Sequence, residues 1–289
     1  MKTILITGGA GFIATNLIKK LIKLKSTSKI ISIDNYYSGS TKNHIKSSKI
    51  IYYRCSTSKI NIFKKLKNIN FDTVFHFGEF SRIVPSFKNY DDCFKSNFFG
   101  TYEVIKFCLN KNARLVYSAS SSTFGSNKFL SPYSWSKYNN NELIKNFSNW
   151  FNLKYNIVFF YNVYGSNHIC KGKMASVIGI FEDQYKKNLP LTVVKPGTQK
   201  RDFTHVDDII QGVILSVKKT LNSEFHIGSG ENYSILQVVK FYKHPFIFVD
   251  ERPGERFKSL ANYNLAFKKL GYKPKNNLKN YIQNFIQNV

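Results

Sequence analysis

The chain opens with an apolar strand, Thr3-Ile4-Leu5-Ile6-Thr7, runs into the turn Gly8-Gly9-Ala10-Gly11, and continues as a helical pattern. A strand with no polar face must be covered on both sides, which points to the middle of a parallel sheet. Short apolar runs recur at residues 30–34, 50–54, 73–77, 114–118 and 157–161. Between them, residues 15–24, 61–67, 91–109 and 133–151 carry apolar side chains at helical spacing. Strands alternating with helices predict an α/β fold built on a doubly wound parallel sheet with right-handed crossovers. Past Gly165 the pattern changes. Gly and Pro punctuate the chain at Gly172, Pro190, Pro196-Gly197, Pro253-Gly254 and Gly271, and helices are expected at 206–218 and 263–270. The expected division is a first domain over 1–164 and a smaller mixed α/β lobe over 165–289, with residues 203–228 returning to the first domain.

A net charge of +26 would ordinarily raise nucleic acid as a partner. Here the lysines are spread along the chain among many Asn, Ile, Phe and Tyr residues, the composition an AT-rich genome produces. No nucleic-acid partner is expected; the charge would draw in anionic nucleotides instead. Cys55, Cys93, Cys108 and Cys170 form no CxxC pair, so neither a disulfide framework nor a zinc site is expected. No run approaches the ~18 apolar residues of a membrane span. The expectation is a cytoplasmic protein without a membrane partner.

The opening turn has the context of a phosphate-binding loop. Gly8 permits the tight turn, and Gly11 lets the backbone approach a pyrophosphate at the helix N-terminus. Ala14 takes the third small position. Asp34 ends the second strand, where a carboxylate accepts from both adenosine ribose hydroxyls and repels a 2′-phosphate. The pattern predicts a Rossmann domain that binds NAD.

Tyr133 and Lys137, at i and i+4, fall on one helix face after Pro132. A free tyrosine titrates near pH 10, so a phenolate base at neutral pH needs about 4 kcal/mol of stabilisation. One cation at roughly 6 Å, with an effective dielectric near 20, supplies about 3 kcal/mol. The oxidised nicotinamide ring would provide much of the rest, so the pair makes sense only beside the cofactor. Ser120 follows the fifth strand, at the end of the sheet where ligands bind.

These residues resemble the extended short-chain dehydrogenase/reductases, and among them the NAD-dependent epimerase/dehydratase family of sugar-nucleotide enzymes. The likeness runs through Thr7 to Ile13, Asp34-Asn35, Val74-Phe75-His76, Asn97-Phe98-Phe99-Gly100-Thr101, the serine loop and Pro132 to Lys137. It continues in Asn162-Val163-Tyr164-Gly165, Arg201 to Asp208 and Arg252-Pro253-Gly254-Glu255. The resemblance implies that Ser120, Tyr133 and Lys137 are catalytic. It implies that Gly8, Gly11, Phe12, Ile13, Asp34, Asn35, Phe77, Gly78, Asn97 and Tyr161 join Tyr133 and Lys137 in holding NAD. Ser120, Asn162, Val193, Arg201 and Arg252 would hold a nucleotide-diphosphate sugar, and the family suggests a homodimer built from the helices containing Asp91 and Tyr133.

Departures from the family pattern are specific. Cys55 stands where an aspartate usually meets adenine, Gly78-Glu79 replaces a pair of alanines, and Phe159 takes a position that is often arginine. The C-terminal lobe is short around 242–248. The serine loop selects among reactions. The 4,6-dehydratases of this family carry Asp-Glu after the catalytic serine, whereas Ser121 and Ser122 stand here and provide no acid and base for water loss. The expectation is a UDP-hexose 4-epimerase. The alternatives are a 4,6-dehydratase or other deoxysugar enzyme using Glu79, and a non-catalytic NAD-binding protein.

Overall fold

A computed structural model describes residues 1–289, apart from the side chains of 125 and 126. Its strands are β1 (Thr3–Thr7), β2 (Lys29–Asp34), β3 (Ile50–Arg54), β4 (Thr73–His76), β5 (Arg114–Ser120), β6 (Tyr155–Phe160), β7 (Val163–Tyr164), β8 (Leu191–Val194), β9 (Lys200–Asp202), β10 (Thr204–His205), β11 (Ser223–Ile227), β12 (Asn232–Ser234) and β13 (Phe246–Val249). Its helices are α1 (Phe12–Leu21), α2 (Ile83–Lys88), α3 (Tyr90–Phe94), α4 (Gly100–Asn110), α5 (Pro132–Phe151), α6 (Val177–Lys186), α7 (Val206–Lys219), α8 (Ile235–Tyr242), α9 (Asn264–Leu270) and α10 (Leu278–Gln287).

Seven parallel strands form the main sheet in the order β11-β6-β5-β4-β1-β2-β3. This is the doubly wound Rossmann sheet that the alternation predicts. Period-two geometry sends Ile4 and Ile6 to one face, with Leu17, Ile209 and Val213, and Leu5 to the other, with Ile31, Val104 and Ile144. All of these are fully buried, and each such side chain contributes about 2 kcal/mol. α1, α7 and α9 cover the first face, and β11 extends the sheet beyond β6. A separate core of Tyr164, Phe181, Val193, Val238, Tyr242 and Ile282 organises α6, β8, α8 and α10. Among the described residues no helix is long and apolar enough to cross a membrane.

Two predicted helices differ. Residues 61–67 form 3-10 turns at Thr57–Ile62 and Lys64–Leu66. Ile60, Phe63 and Leu66 recur every third residue, which suits the 3.0-residue period better than 3.6. The helix expected over 91–109 is interrupted by a π turn at Lys95–Phe99. The Asn97 carbonyl accepts from Asn140 Nδ2 at 2.9 Å, drawing that turn toward α5. Strand order reverses between β1 and β4, which opens the crevice used by ligands in such sheets.

Candidate active site

At that crevice the turns after β1 and β4 meet backbone to backbone. A Cβ on Gly8, whose φ is +69°, would lie 2.7 Å from the Gly78 Cα, and one on Gly78 would lie 2.8 Å from the Gly8 nitrogen. Glycine is needed on both sides, which accounts for Gly78. Gly11 caps α1 without any side-chain cap, leaving the Phe12 and Ile13 amides available to an anion at the positive helix end. The Asp34 carboxylate accepts from Ala10 N at 2.9 Å and Tyr36 N at 2.7 Å. Burial pushes this carboxyl up, against the pull of those two amides. Each oxygen keeps capacity for one more hydrogen bond, enough for a ribose diol. Asn35 Oδ1 accepts from Tyr37 N at 3.0 Å and turns the chain away from β2. Beside it an open cleft of about 430 Å³ is lined by Asn35, Arg54, Cys55, Ser56, Lys59 and Phe63. Glycine cradle, uncapped helix, strand-end carboxylate and adjoining cleft fit an adenine dinucleotide.

Beyond the cradle stand the reactive side chains. Ser131 caps α5 by accepting from Ser134 N at 3.0 Å, and Pro132 takes the first helical turn. Tyr133 follows directly, buried in a small apolar cluster with Phe80 and Cys93 and flanked by Ile83 and Met174. One turn on, Lys137 Nζ donates to the Ser118 carbonyl and to Glu79 Oε2, and lies 4.7 Å from the centre of the Tyr117 ring. Ser120 ends β5 and its Oγ pairs with Ser122 Oγ at 2.9 Å.

Other predicted residues are placed less directly. Asn97 is fully buried, and its amide is committed to Phe80: Oδ1 accepts from Phe80 N at 2.6 Å and Nδ2 donates to Phe80 O at 3.0 Å. It fixes the loop after β4. Phe77 packs edge-on against Phe75 and Phe160 and bonds back to Thr7 O. The Tyr161 hydroxyl is taken by His226 Nδ1 at 2.6 Å, and burial raises its pKa. Asn162 Nδ2 donates to Asp202 O and Ser259 Oγ, at 3.0 and 3.2 Å. The Val193 side chain is fully buried in the C-terminal core. Arg201 pairs with Glu255 Oε1, and Arg252 Nη2 lies 3.7 Å from Glu255 Oε2. The two guanidinium groups thus converge on one anion.

The sequence matches the family described as "NAD dependent epimerase/dehydratase family" over residues 4–228. The chain belongs to that family. Its cofactor class is therefore NAD, and its activity class is that of the nucleotide-sugar epimerases and dehydratases. A "putative UDP-glucose 4-epimerase" of Methanocaldococcus jannaschii is 29% identical, over 98% of this chain and 97% of that protein. The UDP-glucose 4-epimerase of Thermotoga maritima, solved with UDP-glucose, is 25% identical, with a TM-score of 0.91 over 99% of this chain and 97% of that one. The UDP-glucuronic acid 4-epimerase of Bacillus cereus shares the fold at 23% identity, with a TM-score of 0.89 over 99% of each chain.

Several features of this family member escape a sequence reading. Arg256 is buried, donates to Ser121 Oγ at 3.3 Å and lies near Tyr133, as does the half-buried Arg82. Burial, reinforced by Arg201, lowers the Arg256 pKa to about 10, so it stays a cation at neutral pH. Further out, His168 Nε2 and Glu182 Oε2 pair at 2.8 Å beside Cys170, and Tyr281 donates to Glu182 Oε1 at 2.9 Å. Burial disfavours the imidazolium, but the bonds to Cys170 and Glu182 outweigh it and raise its pKa to about 9. This pairing ties the loop after β7 to α6 and α10. Its only sequence signal is His-x-Cys followed by a helical glutamate.

Proposed function

We propose that this protein is a UDP-hexose 4-epimerase. The observation that carries the reading is the state of the groups a dehydratase would need. Ser121 and Ser122 stand where a dehydratase carries its acid and base, and neither hydroxyl does that work unaided; Glu79 is enclosed, its side chain 2% exposed with both oxygens hydrogen-bonded. Glu79 is not free to protonate or deprotonate a sugar carbon. What is left is a phenol, an ammonium and a serine hydroxyl, the set that inversion through a ketone needs.

Tyr133 takes the O4 proton, and its buried ring position makes that transfer sensitive to nearby charge. Ser120 hydrogen-bonds the same sugar oxygen, and Arg201 with Arg252 holds the diphosphate that Glu255 now mimics. A bound NAD would supply the reversible hydride acceptance that inversion at C4 through a ketone needs. UDP is favoured by the Methanocaldococcus and Thermotoga relatives. Purified protein given UDP-glucose or UDP-galactose should interconvert them without net change in cofactor. A 4-keto-6-deoxy product would instead establish a dehydratase, and no product from any hexose nucleotide would sink the reading.

A homodimer belongs to the same proposal. Phe99 on the π turn and Trp150 and Phe151 on α5 are more than half exposed, and Tyr102 and Trp135 add to that surface. Such an apolar face on the α4 and α5 helices favours a partner of the same kind. Sedimentation equilibrium should return twice the 33.5 kDa chain mass, whereas a monomer at micromolar concentration would count against it.

A further inference from the structure

Glu79 comes from the turn after β4, 58 residues before Lys137, yet the two form an ion pair with side chains only 2% and 5% exposed. The carboxylate is satisfied on every side. Oε2 accepts from Lys137, and Oε1 accepts from Thr101 Oγ1 at 3.0 Å, Tyr117 OH at 3.0 Å and Asn140 Nδ2 at 3.1 Å. Its donors come from α4, β5 and α5, so the carboxylate pins three elements around the lysine. A carboxylate with this many partners is held in one position.

Resting on the epimerase reading, we propose that Glu79 is a positioning residue that fixes Lys137 and partly cancels its charge, so that Tyr133 becomes a base at higher pH than an unpaired lysine would allow. The ammonium is aimed by Glu79 from one side and by the Ser118 carbonyl from the other. The phenolate then draws more of its stabilisation from Arg82, Arg256 and the cofactor's own positive charge. This arrangement makes base strength depend on a loaded cofactor site, since the lysine alone no longer suffices.

Other ionisable groups facing this cluster leave the neutral range clear. On β4, burial takes His76 down to about 4, and its two nitrogens are spent on Thr7 and Thr101. On β5, burial and then Glu79 raise Tyr117 well above the usual phenol range. On α3, burial pushes Cys93 up to about 11. Arg82 and Arg256 remain cations there. These groups are common to the parent and to Tyr133→Phe, so the difference between the two proteins isolates the Tyr133 hydroxyl.

The test is Glu79→Gln. The amide is isosteric: with its oxygen kept toward Lys137, its NH₂ group faces the Thr101 and Tyr117 hydroxyls, which can turn to accept from it. The acid limb of log kcat/KM should move to lower pH by about one unit, the effect of removing one charge at roughly 10 Å with a dielectric near 20. Because turnover depends on the functional reading, the same shift is read independently. The tyrosinate difference spectrum of NAD-loaded protein, minus its Tyr133→Phe counterpart, is titrated with and without Glu79→Gln. A midpoint that falls by about one unit supports the proposal whatever the substrate proves to be. An unmoved or raised midpoint, with activity reduced equally at all pH, would overturn it and leave Glu79 a packing residue. Glu79→Ala gives the same two outcomes should the glutamine variant not accumulate.

Discussion

Tyr133→Phe should lower kcat by about 10²–10⁴-fold, the range lost when a positioned acid–base group is removed, while NAD stays bound and the fold intact. The ring keeps its contacts with Phe80, Cys93, Ile83 and Met174, so the variant loses a proton acceptor and no packing. The Tyr133 backbone nitrogen still donates to Ser86 Oγ at 3.3 Å, which holds the start of α5 against α2. Lys137 keeps Glu79 and the Ser118 carbonyl, so the second catalytic group does not collapse into the vacated space. KM for the nucleotide sugar should change little, because Arg201 and Arg252 take their contacts from Glu255 and not from the Tyr133 hydroxyl. The measurement is a steady-state profile over pH together with cofactor released from denatured protein. A residual rate within threefold of the parent, or a flat pH dependence in both proteins, would show that the O4 proton leaves by another route.

The parts of this protein that rest on local period are legible in its sequence. β1, the glycine turn and α1 lie within twenty residues, and burial on both faces of β1 needs no distant information. Asp34 and the Tyr133 and Lys137 pair are equally readable, since each is defined by a strand end or one helical turn. What cannot be read is set by side chains meeting across the sheet. Glu79 looks like a candidate acid in the sequence, and only its enclosure by Thr101, Tyr117, Lys137 and Asn140 shows that it faces inward. Asn97 is expected on the cofactor side, and which groups its amide meets is set by the π turn that carries it, which aims it at the Phe80 backbone. Arg252 is the arginine that a motif draws attention to, yet Arg256, four residues later, is the one sunk beside Tyr133. In each case the residue type was informative and its direction was not, because direction depends on tertiary neighbours.

The largest effect on stability is expected at Asp202, which no catalytic argument would single out. It is fully buried at the end of β9. Its Oδ1 accepts from Thr204 Oγ1 at 3.0 Å, Ser229 N at 2.9 Å and Ser229 Oγ at 2.8 Å. Its Oδ2 accepts from Gly230 N and Ala261 N, each at 3.0 Å. One carboxylate therefore closes three chain segments onto the strand that carries Arg201. Asp202→Ala leaves the buried Ala261 amide and the part-buried amides of Ser229 and Gly230 without their acceptor, a loss on the order of 3–5 kcal/mol. For a chain of this size that corresponds to a Tm lower by roughly 5–8 °C. Asp202→Asn should be nearly as harmful despite its shape, because either orientation turns an NH₂ toward groups that are themselves donors. The 257–259 segment pairs with β9 through Ser259 N to Lys200 O and Asp202 N to Ser259 O. Loosening Ala261 should therefore also raise KM for the nucleotide sugar in protein that remains folded. Calorimetry of both variants, read beside KM below the transition, tests this. A Tm within 2 °C of the parent would mean that water replaces the carboxylate at roughly equal free energy, and the latch would then be ornamental to the lobe it closes.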